Sequence, residues 1–568
     1  MVPNPETELG ASENGTSRRG WWLLLGLGLL LYVPVLGLRD LWYPDEPDIA
    51  EVAKAMFLSG DWIAPRRMGV IWVDYPPMIY WAGSLASRLL GGMTEFALRL
   101  PNALAAVGLV LLTYFTGSRW FGPRAGWWAG FALLTFGEFT RQAVSYRPDV
   151  LFSLAIGAGL IVYARGAGER PRWGPRAAAF VLLGLAMLAK GPLGLLLPGL
   201  VLTLWHAGRR EWRRILELAP LALIALAVYL PWFVACARAM GADDILAELY
   251  AQNFNRFLSG SRGHGQPYYY YLMGIWAYLW PWAVLLPFAI AWVVRAQRWR
   301  DRHVQLTLWW FATFIVFLSF AVTKRGVYLL PAHAAAALLL GPWLASVGRA
   351  QVTGRDAPDP RPLRWYAVAM TVFLLLLALV VFAFVGATEP FIERAGLDTL
   401  YTEVARALRA PLAAMGLIIA AAALWIGHAW RRGRLRAVLV RVGVTHAVGA
   451  FVLTAWVLPT VNPLKTYVPQ SRWIREQIGA ETRFGLVNPR GDMAFRKMGA
   501  FGYYTGAHVE IMRTREEIER FLQEHPDSLV LVEQRAAEEI FSGDADWHGR
   551  VQRTLQQGSR HYVVLRAP

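Results

Sequence analysis

Long apolar runs separated by short polar connections fill the first 460 or so residues of the chain. Thirteen of these runs read as membrane spans, at about 21–38, 95–117, 126–143, 149–164, 178–189, 191–206, 216–237, 269–294, 304–322, 327–347, 365–387, 411–429 and 438–458. The connections alternate in charge. One set carries Arg119 and Arg124, then Arg165 to Arg176, Arg209 to Arg214, Arg295 to Arg302, Arg349 to Arg364 and Arg431 to Arg441. With Arg18 and Arg19 ahead of the first run, this is a positive-inside pattern that puts the N-terminus in the cytoplasm. An odd number of spans puts the C-terminus outside. The first run lacks a small-residue cleavage site and reads as an uncleaved anchor. The outer segments are then 39–94, 138–148, 238–268, 388–410 and everything after about 459.

The first outer segment is too long and too patterned for a plain connector. Ile49, Val52, Ala53, Met56 and Phe57 recur at helical spacing, which predicts an amphipathic helix. Asp45 or Glu46 would be its N-cap, Pro47 would sit in its first turn, and Gly60 would end it. Its apolar stripe suits a helix lying flat among lipid headgroups. A second interfacial helix is predicted from about Pro77 to Leu90. After Pro463 the pattern changes to short apolar strands at about 483–488, 508–512, 528–533 and 561–566. Helical stretches near 470–479, 492–503, 514–524 and 534–541 alternate with them, as in a small α/β domain. The expected division is a cytoplasmic tail at 1–20, an all-α multi-span membrane domain at 21–460, and an outer, periplasmic soluble α/β domain at 461–568.

Composition agrees with a multi-pass membrane protein. Charged residues make up 17% of the 568 and apolar residues 56%, against about 25% charged in average soluble domains. The net charge of +17 is concentrated in connections that the topology places inside, which leaves a nucleic-acid partner little to explain. A single cysteine, Cys236, excludes an intrachain disulfide and a cysteine-based zinc site. No Cys/His pattern specifies a metal, and a divalent ion is left open.

Candidate chemistry lies on the outer side. Asp45, Glu46 and Asp48 fall within four residues at the bilayer edge, where carboxylates are costly unless solvated, paired or used. Asp45 or Glu46 could accept a proton from an attacking hydroxyl, or could simply cap the helix; both readings stand. Asp48 and Glu51 read as structural, with Glu51 facing Lys54. Asp149 opens a span after Pro148, where capping again competes with function. Outer-side cations form the complementary set: Arg66, Arg67, Lys190, Arg256, Arg262, His264, Lys324 and Arg325. They suit a phosphate at the interface, or the snorkelling of side chains toward headgroups.

Several stretches, in order and spacing, resemble the GT-C membrane glycosyltransferases, above all the lipid A aminoarabinose transferases and their protein O-mannosyltransferase relatives. They are Pro44-Asp45-Glu46, Ser59 to Pro65, Tyr75-Pro76-Pro77 with Tyr80-Trp81, Arg99-Leu100-Pro101 and Arg147-Pro148-Asp149. Lys190-Gly191-Pro192, Arg256-Phe257, His264 with Pro267, and Lys324 with Tyr328 to Pro331 complete the set. The resemblance implies an undecaprenyl-phosphate-linked sugar as donor and a lipid or protein acceptor at the periplasmic face of a bacterial inner membrane. It implies Asp45 as the key carboxylate with Asp149 as companion and Glu46 adjacent. Lys324, Tyr328, Arg262, Tyr75 and Arg256 would hold the lipid phosphate. One departure stands out: the family's lysine before the Pro-Pro pair is Tyr75 here, so another cation (Arg66, Arg67 or Lys324) would have to substitute. The resemblance points to lipid A or another envelope glycolipid as acceptor, with a protein hydroxyl as the alternative. A transporter or flippase of lipid-linked sugars is the rival of a different class; it predicts mid-span ionisable groups and two repeated halves.

Overall fold

The computed structural model describes residues 20–42, 44–67, 70–168, 170–250, 265–347, 359–396, 398–478, 483–487, 498–542, 544–558 and 560–566. Most of these are helical. Eight helices are long and apolar enough to cross a membrane: Glu95–Phe121, Asp149–Gly166, Trp212–Met240, Arg302–Phe320, Gly326–Ser346, Arg361–Ala395, Thr399–Arg431 and Leu435–Lys465. The pair Tyr270–Tyr278 and Ala283–Arg295 adds a ninth if its 117° bend lies within one span. This falls short of thirteen because several expected spans are short or broken. The run at 126–143 is two helices, Pro123–Leu134 and Gly137–Ala143, and those at 21–38 and 191–206 are the shorter helices Gly20–Val35 and Leu193–Gly208.

Small residues bring the helices close. A Cβ added at Gly117 would lie 2.9 Å from the Cα of Gly126, and one at Gly341 would lie 2.9 Å from the Cβ of Ala129. Interfaces of this kind gain their stability in a bilayer from close packing rather than from the hydrophobic effect.

The segment 39–94, expected as the first outer loop, folds as expected in its helices but not in its surroundings. The helix Glu46–Ser59 (α1) carries Pro47 in its first turn and ends at Gly60, whose φ of +73° is the left-handed conformation that glycine supplies. Helix α2 spans Met78–Leu89, and a short antiparallel hairpin (β1, Arg66–Arg67; β2, Val70–Ile71) lies between them. Instead of floating on headgroups, α1 is buried on most of its surface, including Glu46, Asp48 and Glu51. Ser84 Oγ of α2 donates to Ala53 O at 3.0 Å. On another face, Lys54 donates to Tyr503 O in the helix Met498–Thr505.

The C-terminal residues build a five-stranded sheet: β3 (Arg483–Val487), β4 (His508–Met512), β5 (Leu529–Glu533), β6 (Val551–Gln557) and β7 (Arg560–Arg566), in the order β4-β3-β5-β7-β6. β3 is parallel to β4 and β5, whereas β7 runs antiparallel to β5 and β6. β5 alternates between two cores, Leu529 and Leu531 on one face and Val530 and Val532 on the other. β6 was not anticipated from the sequence. Its buried residues are few and spaced by polar ones, Leu555 and Gln557 among Arg553, Thr554 and Gln556, so it lacks an apolar run.

Candidate active site

Asp45 immediately precedes α1, yet its side chain makes no capping hydrogen bond. It is turned away, between two guanidinium groups. Arg147 Nη1 donates to Asp45 Oδ2, and Arg325 Nη1 donates to Asp45 Oδ1 at 3.0 Å. Burial would raise this carboxyl, but the charges of Arg147 and Arg325 outweigh it and hold Asp45 below the ordinary carboxylate range. Capping therefore does not account for Asp45.

Arg147 continues the chain of charges. Its Nε lies 3.3 Å from Asp149 Oδ2, and Lys190 Nζ donates to Asp149 Oδ1. Buried Asn102 fixes the loop that carries Arg147, donating through Nδ2 at 2.6 Å to the carbonyls of Ser145 and Arg147. Lys190 ends the helix Trp173–Lys190 and is followed by Gly191, at φ +75°. Its ammonium stands 4.6 Å from the Tyr328 ring centroid and 5.6 Å from that of Phe152. The result is an alternating series, Arg325–Asp45–Arg147–Asp149–Lys190, drawn from four separate stretches of sequence.

A cavity of about 120 Å³ opens beside this series. Lys190, Asp74, Tyr75, Thr323 and Tyr328 supply its polar lining, and Leu193, Leu197, Trp232, Phe233, Phe317 and Leu318 much of its apolar wall. Tyr75 feels the charges of Arg147, Asp45 and Asp149, and burial, then Asp74, pushes its hydroxyl well above the usual range. It is therefore a neutral hydrogen-bond donor. A lining that combines the Lys190 ammonium and several hydroxyls with apolar walls matches an anionic group attached to a long apolar chain.

Glu46 is a neighbour of Asp45 in sequence but not in role. It is buried, with Arg39 Nη1 at 2.5 Å and Arg99 Nε at 2.9 Å, and it also accepts from the backbone N–H of Tyr146 at 2.8 Å. Burial is outweighed by Arg39 and Arg99, which hold its carboxyl far below the ordinary value. Arg99, fully buried, donates to the carbonyls of Leu36, Arg39 and Asp40 as well. This cluster staples the first outer loop to the helix Glu95–Phe121.

The expected phosphate cations divide. Lys324 donates to the carbonyls of Gln266, at 2.8 Å, and Ala321, so its ammonium closes a loop and does not line the cavity. Arg67 is buried, 3.3 Å from Asp48 Oδ1 and 4.1 Å over the Trp72 ring. Arg256, Arg262 and His264 lie outside the described residues. The cations that surround Asp45 and Asp149 are instead Arg147, Arg325 and Lys190. In the sequence, Lys190 and Arg325 stand among many outer cations, and Arg147 and Lys190 lie in stretches that carry the family resemblance, but no residue pattern assigns Arg147 a role. Its signal was an arginine two residues from a carboxylate on the side of the membrane where arginine is scarce. Among the described residues no three His, Cys, Asp or Glu side chains converge as metal ligands.

Residues 74–234 match the family model described as dolichyl-phosphate-mannose-protein mannosyltransferase. The undecaprenyl phosphate-alpha-4-amino-4-deoxy-L-arabinose arabinosyl transferase of Pseudomonas paraeruginosa is 32% identical over 338 residues, which are 57% of this chain and 60% of that protein. The enzyme of the same name from an Enterobacter species is 30% identical over 375 residues, 63% of this chain and 64% of its own length. The match thus spans less than two thirds of these relatives. Among solved structures, ArnT from Cupriavidus metallidurans bound to undecaprenyl phosphate superposes with a TM-score of 0.74 at 20% identity, covering 95% of this chain and 97% of that one. The archaeal oligosaccharyltransferase AglB from Archaeoglobus fulgidus gives 0.51 at 13% identity, over 92% and 70%. From the helical membrane unit to the C-terminal sheet, the chain has the fold of the GT-C membrane glycosyltransferases.

Proposed function

We propose that the protein transfers a sugar from an undecaprenyl-phosphate carrier to an acceptor at the periplasmic face of a bacterial inner membrane. The observation that carries this reading is Asp45, an anionic carboxylate held between Arg147 and Arg325 in a charge series that leads to Lys190, which lines a cavity together with Tyr75 and Tyr328. The names of the curated relatives, which specify an undecaprenyl phosphate aminoarabinose donor, support it. The thirteen-span topology, with a cytoplasmic N-terminus and residues 461–568 as a periplasmic α/β domain, belongs to the same proposal. It rests on the alternation of arginine-rich connections.

In the proposed reaction the bond between the sugar's anomeric carbon and the phosphate oxygen breaks, and a new bond forms from that carbon to an acceptor oxygen. Polyprenyl phosphate leaves with the bonding pair. Negative charge grows on its phosphate, and in this reading Lys190 and the Tyr75 and Tyr328 hydroxyls of the lining, with Arg147 behind them, stabilise it in a partly desolvated site. Arg147 supplies the charge that Tyr75, in place of a lysine, does not.

Asp45 bears on the acceptor. A carboxylate whose proton affinity is suppressed by two arginines is a weak general base. It is better suited to orienting the sugar or stabilising positive charge at the anomeric carbon. That favours an acceptor which is already an anion, such as a lipid A phosphate, over a protein hydroxyl. Purified protein given a labelled undecaprenyl-phosphate aminopentose tests this with two acceptors, lipid A and a hydroxyl-bearing peptide. Label in lipid A at its phosphates is the expected result. Label in the peptide alone would reverse the acceptor assignment, and label in neither would remove the transferase reading.

A further inference from the structure

Two residues far along the chain grip the segment that leads into Asp45. Asn462 stands near the end of the helix Leu458–Lys465. Its Oδ1 accepts from Trp42 Nε1 at 2.7 Å and from the backbone N–H of Asp40 at 3.2 Å, while its Nδ2 donates to Asp40 Oδ2 at 2.8 Å. Tyr504, in the helix Met498–Thr505, accepts at its hydroxyl from the backbone N–H of Leu41 at 2.8 Å and donates to Glu95 Oε1 at 3.0 Å. Three consecutive residues, Asp40, Leu41 and Trp42, are thus bound by partners more than 400 positions away in sequence. On their other side Arg99 takes the Asp40 carbonyl at 2.9 Å, and Glu46 accepts the Trp42 N–H at 3.3 Å.

We infer that Asn462 and Tyr504 are positioning residues for Asp45, through which the C-terminal part of the chain sets the geometry of the site. This rests on the proposed transferase reading. Neither residue lines the cavity, whose polar lining includes Lys190, Tyr75 and Tyr328. The grip instead fixes the backbone three positions ahead of Asp45, and so the depth to which its carboxylate reaches between Arg147 and Arg325. Displacements of about 1 Å in a reacting constellation can cost on the order of 10²-fold in rate. The expected signature is a fall in kcat with the KM for the lipid-linked donor unchanged.

The test uses the full-length protein. Asn462→Asp sets a second carboxylate against Asp40, and kcat is expected to drop about 10- to 100-fold. Asp40→Asn combined with Asn462→Asp restores a donor facing an acceptor with the roles exchanged, and is expected to recover most of the lost kcat. Tyr504→Phe, which keeps the ring and removes the hydroxyl, is expected to lower kcat alone. Unchanged kcat in Asn462→Asp and Tyr504→Phe would overturn the inference. So would a purely structural pattern, with lower thermal stability and less active protein but normal turnover per folded molecule. If the wild-type protein transfers no sugar, the transferase reading fails first, and the stability of the variants no longer bears on positioning.

Discussion

Two adjacent carboxylates, Asp45 and Glu46, are both anionic and both paired with two arginines, and they do different work. The difference lies in what each arginine is free to do. Arg99 is saturated, with Glu46 and three backbone carbonyls, so Glu46 is a staple. Removing one member of such a buried cluster leaves unpaired charge, at a cost of about 3–5 kcal/mol. Glu46→Gln is expected to lower thermal stability by that order at neutral pH. Because folding depresses the Glu46 pKa, its contribution is complete above its ordinary value of 4.5 and is lost as pH falls below that toward the folded value. The stability gap between wild type and Glu46→Gln should therefore be flat from pH 7 to about 5 and shrink below it; a gap that widens on acidification would contradict the staple. Arg147 by contrast reaches Asp45 and Asp149 beside the cavity, and Arg147→Ala is expected to lower transfer per folded molecule about 10²-fold and, because it leaves Asp45 and the buried Asp149 short of a partner, to lower the melting temperature as well. At this scale the sequence singled out Asp45, Glu46 and Asp149 as candidates but not their partners. Arg325 is 280 positions from Asp45, and no local pattern reports a pairing over that distance.

At the scale of elements, the periodicities were legible where one surface of a helix or strand decides its fate. Helix α1, its Pro47 start and its Gly60 end follow from residue spacing and terminal chemistry. What the spacing concealed was the polar face, which a headgroup-bound helix would leave to solvent. Here Asp48 meets Arg67 at 3.3 Å and Lys54 meets Tyr503, partners that lie outside the helix and that its own spacing does not report. Close approach between elements is likewise invisible in apolar periodicity. Gly83 of α2 faces Tyr146, and an added Cβ would come within 2.8 Å of the ring carbon Cζ. Tyr146 cannot swing away without breaking its hydroxyl's 2.9 Å bond to Ile79 O. Gly83→Ala should cost about 1–3 kcal/mol through overpacking and show a clear fall in melting temperature. Gly92→Ala, which meets nothing within 4 Å, should not; equal melting temperatures for the two would refute the packing account.

Over the whole molecule, charge is sorted in two ways. In the proposed topology the arginine-rich connections lie on the cytoplasmic side, and the Asp45 series with the C-terminal sheet lies on the other. A cysteine introduced at exposed Gln523 should react with a membrane-impermeant maleimide added to intact spheroplasts, while the buried Cys236 stays silent. Labelling only after lysis would invert the topology. The general architecture was readable because span length and arginine bias act locally. The number of spans was less so, since apolar runs such as those at 191–206 and 269–294 fold into the short helix Leu193–Gly208 and the sharply bent pair Tyr270–Tyr278 and Ala283–Arg295. Asp45 is the residue on which the proposed transfer most directly depends. Asp45→Asn keeps the size of the side chain and removes the charge that Arg147 and Arg325 enclose. The decisive measurement is single-turnover sugar transfer from a defined undecaprenyl-phosphate sugar by purified wild-type and Asp45→Asn proteins of equal melting temperature. A loss of about 10²-fold or more in the variant is predicted, and transfer at the wild-type rate would contradict the central claim.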